Sequence, residues 1–453
     1  MRKEIYEEWQ GKKVAVVGLG VSNMALIEFL QNKGAQVFGR DQKTAAELKD
    51  QVQKLRALGV ELILGPGYLR GLTGYDAVFL TPGIPKHLPE LKGLDFLSEI
   101  ALVFRYSEAP IYAITGSSGK TTVTALIGEM LRQAALAPFL GGNIGTPLIT
   151  EIEKAGPGDS VVLELSSFQL ERLGSSPHGA LLTNISENHL DVHQNMANYI
   201  EAKREIYRHQ SPGDFAIFNY DDKITRQMAK EAKGRVYFFS LEAEVEKGAY
   251  LKGGDLFYRD ENGTVDLGPA AKLSLLGPHN AANFLAAAIM AHLIGADWES
   301  IREAGRVFPG VPHRLELIAS KNGVKYYNDS IATTPQRTIT ALRSLQAPII
   351  LIAGGSDKKL SFDELGKAIH CRVKKLLLIG YTAPQIKKAV EKYGAFPLVM
   401  AETLDRAVKL AAKEALPGDV VLLSPACASY DQYESFAARG AHFRTLVENL
   451  NKS

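Results

Sequence analysis

Cysteine is nearly missing from this chain of 453 residues: Cys371 and Cys427 are the two present, and neither belongs to a paired metal-ligand or redox spacing. That scarcity excludes a disulfide framework, a cysteine zinc site and a dithiol redox centre, and it predicts a reducing compartment with buried thiols. An excess of either charge is missing too. The 52 basic and 50 acidic side chains leave a formal +2, too even for net charge to drive binding to nucleic acid or a membrane surface. Any anionic ligand must be held by local groups. No run approaches the roughly 18 apolar residues that span a bilayer, and the opening MRKEIYEEWQ is charged where a signal peptide is apolar. The cytoplasm is the expected location. What the chain does have is 46% apolar and 23% charged residues, the balance of a globular protein, at a length that implies two or three domains.

Three blocks of alternating strand-like and helix-like pattern predict an α/β fold with largely parallel sheets. The first, residues 1–98, runs from VAVVGLG through QVFGRD and VELILG to DAVFLTPG and has the size of a small Rossmann-like domain. The second, 99–310, opens at IYAITGSSGKTT and carries SVVLELS, ALLTNIS, FAIFNY and RVYFFS. Between Gly248 and Gly268 its glycine and Glu-Asn-Gly turn signals predict a β-hairpin appended to the sheet. The Pro-Gly punctuation of FPGVPHR marks a linker into the third block, 311–453, where KYYNDS, PIILIAGG, KKLLLIG, PLVMA and DVVLLSPA alternate with amphipathic helices as in a doubly wound sheet.

The strongest motif is Thr115-Gly-Ser-Ser-Gly-Lys-Thr-Thr122, between an apolar strand and a helical segment. Gly116 and Gly119 let the backbone turn tightly against phosphate, and Ser117, Ser118 and Thr122 complete the cradle around the helix start. Lys120 is expected to reach the terminal phosphates and Thr121 to ligate magnesium. Ile114 stands where the full signature wants a glycine, so the loop is a shortened variant; the plain alternative is a Gly/Ser turn with an exposed lysine. Glu164 ends the apolar strand SVVLE, where a carboxylate faces the ligand crevice of a parallel sheet. Lys203, in ANYIEAKREIYR, would by default be a solvated helix lysine. Asn280 and Asn283 share a helix face that could read an adenine edge, although Asn280 could equally cap the helix. His313 and Arg314, after the linker, could close over ATP phosphates. VAVVGLGVSN begins like a dinucleotide fingerprint but has Asn23 at the last glycine, and Asp41 lacks an accompanying hydride-transfer site, so a nicotinamide dehydrogenase is a weak alternative.

TGSSGKTT, LELSSFQL, TNISENHLDVH and EAKREIY together resemble the Mur ligases in wording and order, over nearly the whole chain. Within that family TPGIP, GGNIG and SPACASYDQYESFAARG resemble the members that add D-glutamate to UDP-N-acetylmuramoyl-L-alanine in peptidoglycan synthesis. The resemblance implies an ATP-dependent amide ligase working through an acyl phosphate. It implies catalytic roles for Lys120, Glu164, His189 and Lys203, with ATP on residues 116–122, Asn280, Asn283, Arg314 and Asp329. Two magnesium sites are implied, with Thr121, Glu164, His189 and a carbamylated Lys203 as ligands, although a histidine is unusual for magnesium. Carbamylation needs a neutral amine, so a lowered pKa is expected at Lys203. The UDP-substrate falls to Val21, Ser22, Asp41, Gln42, Gly83, Asn143 and Ser166, and the amino acid to Thr333, Lys358, Ser429 and Phe436.

One departure stands out: Ile331 replaces the family's lysine in Asn328-Asp-Ser-Ile-Ala-Thr-Thr334, which keeps L-glutamate or another acidic amino acid open unless Lys359 or Arg337 compensates. A folylpolyglutamate synthetase shares the loop but not the first domain, and a nucleotide-regulated binding protein would need no turnover. The expected partners are small-molecule substrates, with no nucleic acid or membrane insertion, and the expected state is a monomer whose third domain closes over the site.

Overall fold

The computed structural model describes residues 2–84, 88–143, 147–187, 193–275, 277–357 and 360–450. Its strands form three sheets. The first contains β1 (Lys13–Val17), β2 (Gln36–Asp41), β3 (Glu61–Leu64) and β4 (Ala77–Leu80), all parallel in the order β3-β2-β1-β4. β1 is a β-branched run buried from Val14 to Val17, as a strand covered on both faces must be.

The second sheet has nine strands: β5 (Ile111–Thr115), β6 (Phe139–Gly142), β7 (Val161–Glu164), β8 (Gly179–Leu182), β9 (Phe215–Asn219), β10 (Arg235–Ser240), β11 (Gly248–Lys252), β12 (Asp255–Asp260) and β13 (Gly263–Pro269). In the order β13-β12-β11-β10-β9-β8-β5-β7-β6, pairing is parallel from β6 to β11 and antiparallel beyond. The expected hairpin is thus two, turning at Gly253-Gly254 and before Gly263, all three with positive φ.

The third sheet contains β14 (Glu316–Lys321), β15 (Val324–Asn328), β16 (Ile349–Ala353), β17 (Val373–Ile379), β18 (Leu398–Glu402) and β19 (Val420–Leu423), in the order β14-β15-β19-β16-β17-β18. All pairs are parallel except β14 with β15. The sequence pattern starts this sheet at KYYNDS, whereas the structure adds β14 before it, antiparallel to β15. The signal was there in Asn322-Gly323, which turns with φ of +51° and +75° between two short alternating runs.

The chain parts into two compact units, Met1–Phe308 and Pro309–Ser453, so the break falls inside FPGVPHR. Within the first unit one buried cluster joins residues of the first sheet, such as Val16 and Phe79, to Ala113 and Leu163 of the second. Trp9 Nε1 donates to the Tyr106 hydroxyl at 2.7 Å, and Lys33 pairs with Glu153 at 2.7 Å across the same seam. No helix among the described residues is long and apolar enough to cross a membrane.

Candidate active site

β5 delivers the chain into a loop at residues 116–119, and the helix Lys120–Gln133 follows directly. The loop has no room for side chains at its glycines. A Cβ on Gly116 (φ +147°) would lie 1.9 Å from Thr183 Oγ1, and one on Gly119 (φ +84°) would lie 2.6 Å from Asn283 Oδ1. The strand end at β8 holds the loop from below: Ser117 N donates to Asn184 O at 2.9 Å, Ser118 N to Asn184 Oδ1 at 3.0 Å, and Thr183 Oγ1 to Ser118 O at 2.6 Å. Ser117 Oγ donates to Ser186 O at 3.0 Å and lies 2.9 Å from the Tyr199 hydroxyl.

Two lysines meet at this loop. Lys120 Nζ donates to Gly116 O at 3.0 Å, and Lys203 Nζ donates to the same carbonyl at 3.1 Å and to Thr115 Oγ1 at 3.1 Å. Lys203 is 1% exposed because the helix Met196–Arg208 turns Tyr199, Ala202, Lys203, Ile206 and Tyr207 inward as a single stripe. Burial, reinforced by the Lys120 charge and opposed by Glu164, holds the Lys203 amine well below the ordinary lysine range.

Glu164 closes β7, beside β5 in the sheet, and is buried. Its Oε1 accepts from Asn143 Nδ2 at 3.0 Å, while Oε2 is buried without a hydrogen-bond partner among the described residues. The Asn143 backbone N–H also reaches Glu164 O, at 2.8 Å, and a Cβ on Gly142 would come within 2.2 Å of that oxygen. Just after Glu164, Ser166 caps the short helix Ser167–Leu170 in a capping box with Gln169. Asn280 and Asn283 lie in the first two turns of the helix Pro278–Ile294, whose N-cap is Gly277. Asn283 Nδ2 donates to Asn280 Oδ1 at 3.3 Å, with Asn283 against Gly119.

The nucleotide-like loop of the first sheet is built differently from a dinucleotide turn. Asn23 is buried and its amide donates to the carbonyls of Val17 and Gly18, at 3.2 and 2.7 Å. Asp41 accepts Leu19 N at 2.7 Å and Lys43 N at 2.9 Å, so its carboxylate organises the turn. Val21, Ser22, Gln42 and Gly83 are exposed around the carboxyl ends of β1, β2 and β4.

In the second unit the expected residues gather at the strand ends of the third sheet. Asp329 is buried after β15, accepting from Ser424 Oγ at 2.7 Å and Leu315 N at 3.2 Å; burial pushes its carboxyl up to about 7. His313 Nδ1 lies 2.9 Å from the Asn328 amide, and burial lowers its pKa. Arg314 and Thr333 are half-buried, Ser429 is buried, and Phe436 begins the helix Phe436–Glu448. Arg337 donates to the Ile331 carbonyl at 3.0 Å. His189, Lys358 and Lys359 lie outside the described residues.

Sequence reasoning passed over three polar groups, of which His193 and Arg439 are buried and Arg172 half-buried. His193 Nε2 lies 2.9 Å from Ser167 Oγ, and its Nδ1 pairs with Glu171 at 3.0 Å. Arg172 donates to carbonyls of the first sheet's last loop. Arg439 is 1% exposed and ties Ser330 to the carbonyls of Cys427 and Ala428. Arg439 sits on a helix stripe with Phe443 and Val447, an apolar spacing that could have flagged it.

Comparison with known proteins follows the same division. Residues 12–95 match a Mur ligase MurD-like N-terminal domain, 114–291 a Mur ligase middle domain, and 313–427 a Mur ligase glutamate ligase domain. The chain is 46% identical to the UDP-N-acetylmuramoylalanine–D-glutamate ligase of Symbiobacterium thermophilum, over 97% of this chain and 98% of that one. The enzyme of that name from Acetivibrio thermocellus is 44% identical, with 97% of each chain covered. Among solved structures, the UDP-N-acetylmuramate-alanine ligase MurC of Thermotoga maritima shares the fold with a TM-score of 0.62 at 19% identity, covering 97% of this chain and 99% of that one. With three domain models matched in order and relatives above 40% identity from end to end, the chain belongs to the Mur ligase family.

Proposed function

We propose that this chain is the ATP-dependent ligase that joins D-glutamate to UDP-N-acetylmuramoyl-L-alanine, a step in the making of peptidoglycan precursors. The observation that carries the reading is the meeting of Lys120, Lys203 and Glu164 at the phosphate loop, in a chain 46% identical along its length to a ligase of that name. An amide cannot form from a free carboxylate in water without activation. Phosphoryl transfer from ATP to the muramoyl-alanine carboxylate gives an acyl phosphate, which the glutamate amine attacks to release phosphate.

Residues 1–98 are assigned the uridine diphosphate, through Val21, Ser22, Asp41, Gln42 and Gly83, and Asn143 and Ser166 the muramoyl end. Residues 99–310 are assigned ATP, with the backbone of 116–122 cradling phosphate and Asn280 and Asn283 facing the base. Residues 311–453 are assigned the amino acid, through Thr333, Lys358, Ser429 and Phe436, with Arg314 and Asp329 toward the nucleotide. Two anionic reactants repel, and Lys120 on the Gly116 carbonyl lowers that repulsion.

Glu164 fits a magnesium ion, since its buried Oε2 has no partner among the described residues and a hard cation prefers oxygen. Thr121 and His189 are assigned to the same set. Magnesium bound there would neutralise charge on the transferring phosphoryl group. An ammonium on Lys203 opposes a cation at that point, whereas a carbamate would present oxygens to it; the lowered pKa favours the neutral amine that carbamylation requires. The enzyme is read as a cytoplasmic monomer. Arg337, on the Ile331 carbonyl, is assigned the positive charge that the family's lysine supplies elsewhere.

The test is phosphate release with ATP, magnesium and UDP-N-acetylmuramoyl-L-alanine, adding D-glutamate, L-glutamate, D-aspartate or L-lysine separately and weighing the product. Release with D-glutamate alone is expected. Preference for L-glutamate would make Ile331 a change of specificity, and no release with any of them would overturn the reading.

A further inference from the structure

We propose that Arg172 is a positioning residue that fixes the loop after β4 to the turn carrying Ser166, coupling the UDP-substrate loop to Glu164. The inference rests on the assignment of Gly83 to the uridine diphosphate. Arg172 follows the short helix Ser167–Leu170 in the second sheet's layer, yet its guanidinium is spent on the first sheet. NH1 donates to Leu80 O at 3.0 Å and to Thr81 O at 2.8 Å, and NH2 donates to Ile84 O at 2.6 Å. A planar fork of donors is suited to gripping several carbonyls at once, which an ammonium cannot match. The gripped loop brackets Gly83 and leans on the glycine turn of β1, since a Cβ on Gly18 would lie 2.4 Å from Thr81 Cγ2.

The other end of Arg172 leads to the chemistry. Its neighbour Glu171 pairs with His193 Nδ1 at 3.0 Å, and His193 Nε2 meets Ser167 Oγ at 2.9 Å. The His193 ring stacks on Phe168 with centroids 4.9 Å apart, and its carbonyl accepts from Asn198 Nδ2 at 2.9 Å at the start of the helix that carries Lys203. Leu165 O, between Glu164 and Ser166, accepts from Thr115 Oγ1 at 2.8 Å, the hydroxyl that Lys203 also contacts. These hydrogen bonds, joined through the backbone of residues 164–172, link the loop beside Gly83 to the segment that carries Glu164 and to the helix that carries Lys203.

Energetically the arrangement is not one that folding alone would select. Burial acts against the Arg172 charge, Glu171 gives it partial compensation, and Nε is buried without a partner among the described residues. A half-buried cation held on carbonyls costs desolvation that an apolar contact across the same seam would avoid. Alignment of two loops accounts for that cost.

The test compares wild type with Arg172→Ala and Arg172→Lys by calorimetry with UDP and with UDP-N-acetylmuramoyl-L-alanine, by steady-state kinetics and by thermal melting. For Arg172→Ala, binding of both UDP compounds should weaken by about tenfold or more, a size usual for coupling between sites. The KM for glutamate, whose assigned residues lie outside this set of contacts, should stay within about twofold of wild type. Arg172→Lys, which keeps the charge and loses the fork, should fall between them, and it serves if the alanine variant does not fold. Unchanged UDP binding in a folded variant overturns the proposal, as does a parallel loss in every KM together with a lower melting midpoint. Calorimetry with UDP needs no turnover, so failure of the ligase assay alone leaves this comparison readable. Failure of wild type to bind UDP would overturn the coupling and the assignment of the first domain together.

Discussion

Replacing Gly116 with alanine is the sharpest perturbation of the site, because three separate observations fix its cost. The residue has φ of +147°, and the added methyl would lie 1.9 Å from Thr183 Oγ1, 3.1 Å from Thr183 Cβ and 3.2 Å from Asn184 N. The backbone conformation alone costs about 1–3 kcal/mol for a residue with a Cβ. The overlap adds roughly 1–3 kcal/mol. Thr183 cannot simply rotate away, since its hydroxyl donates to Ser118 O, and losing that bond costs about 1 kcal/mol more. Some 3–7 kcal/mol is therefore expected, divided between lower stability and a displaced loop. A displacement of about 1 Å suffices for a hundredfold loss of turnover. Urea denaturation and the KM for ATP in phosphate-release assays measure the two shares. Thr183→Ala in the Gly116→Ala background should recover about 1 kcal/mol relative to the sum of the single variants, because the clashing oxygen is gone while the φ strain stays. Wild-type stability and ATP KM in Gly116→Ala would refute the geometry of the loop, and strict additivity would refute the role of Thr183.

Two further variants test charge in buried places. Lys203→Ala is expected to lower turnover by about a thousandfold, with partial recovery in a short carboxylic acid such as acetate; turnover that stays high, or no recovery, counts against the carbamate. Glu99 is buried in the first unit, its Oε1 without a hydrogen-bond partner among the described residues, and burial pushes its carboxyl up to about 7 from 4.5. A carboxyl raised in the folded state contributes stability that is fully present below 4.5 and lost as pH rises through about 7. Glu99→Gln, which cannot ionise, should therefore gain on wild type by on the order of 3 kcal/mol between pH 4.5 and 8. Urea midpoints at the two pH values measure the gain, and an equal difference at both would show that Glu99 does not titrate in this way.

Much of the fold was legible because its strands are buried β-branched runs that end in glycine, a pattern that arises from parallel sheets and little else. β14 escaped because it is an edge strand, half-exposed and polar, where the burial that writes periodicity into sequence is absent. The phosphate loop was legible from its glycine, lysine and threonine string between strand and helix, although the contacts that require Gly116 and Gly119 come from Thr183 and Asn283, far along the chain. Lys203 shows the opposite case. Its residue type suggests solvent, but its spacing with Tyr199, Ala202, Ile206 and Tyr207 marks the buried stripe, and spacing is the better guide. Arg172 could not be found this way, since its partners are three backbone carbonyls nearly ninety residues away, and carbonyls leave no trace in sequence.

The even charge balance of the chain and the crowding of charge at the loop are two sides of one requirement. With 52 basic and 50 acidic side chains there is no long-range field to gather phosphates, so the potential must be made where it is used. Lys120 and the helix start at Lys120 supply positive potential around Gly116 O, with Lys203 beside them and Glu164 as the nearby acid. With Lys203 as an ammonium that cluster is net positive and suits phosphate alone. With Lys203 as a carbamate, two anionic groups face Lys120, and the same cluster suits phosphate together with a divalent cation. Burial holds the Lys203 amine well below the ordinary lysine range, so the folded core sets how much positive charge the site carries.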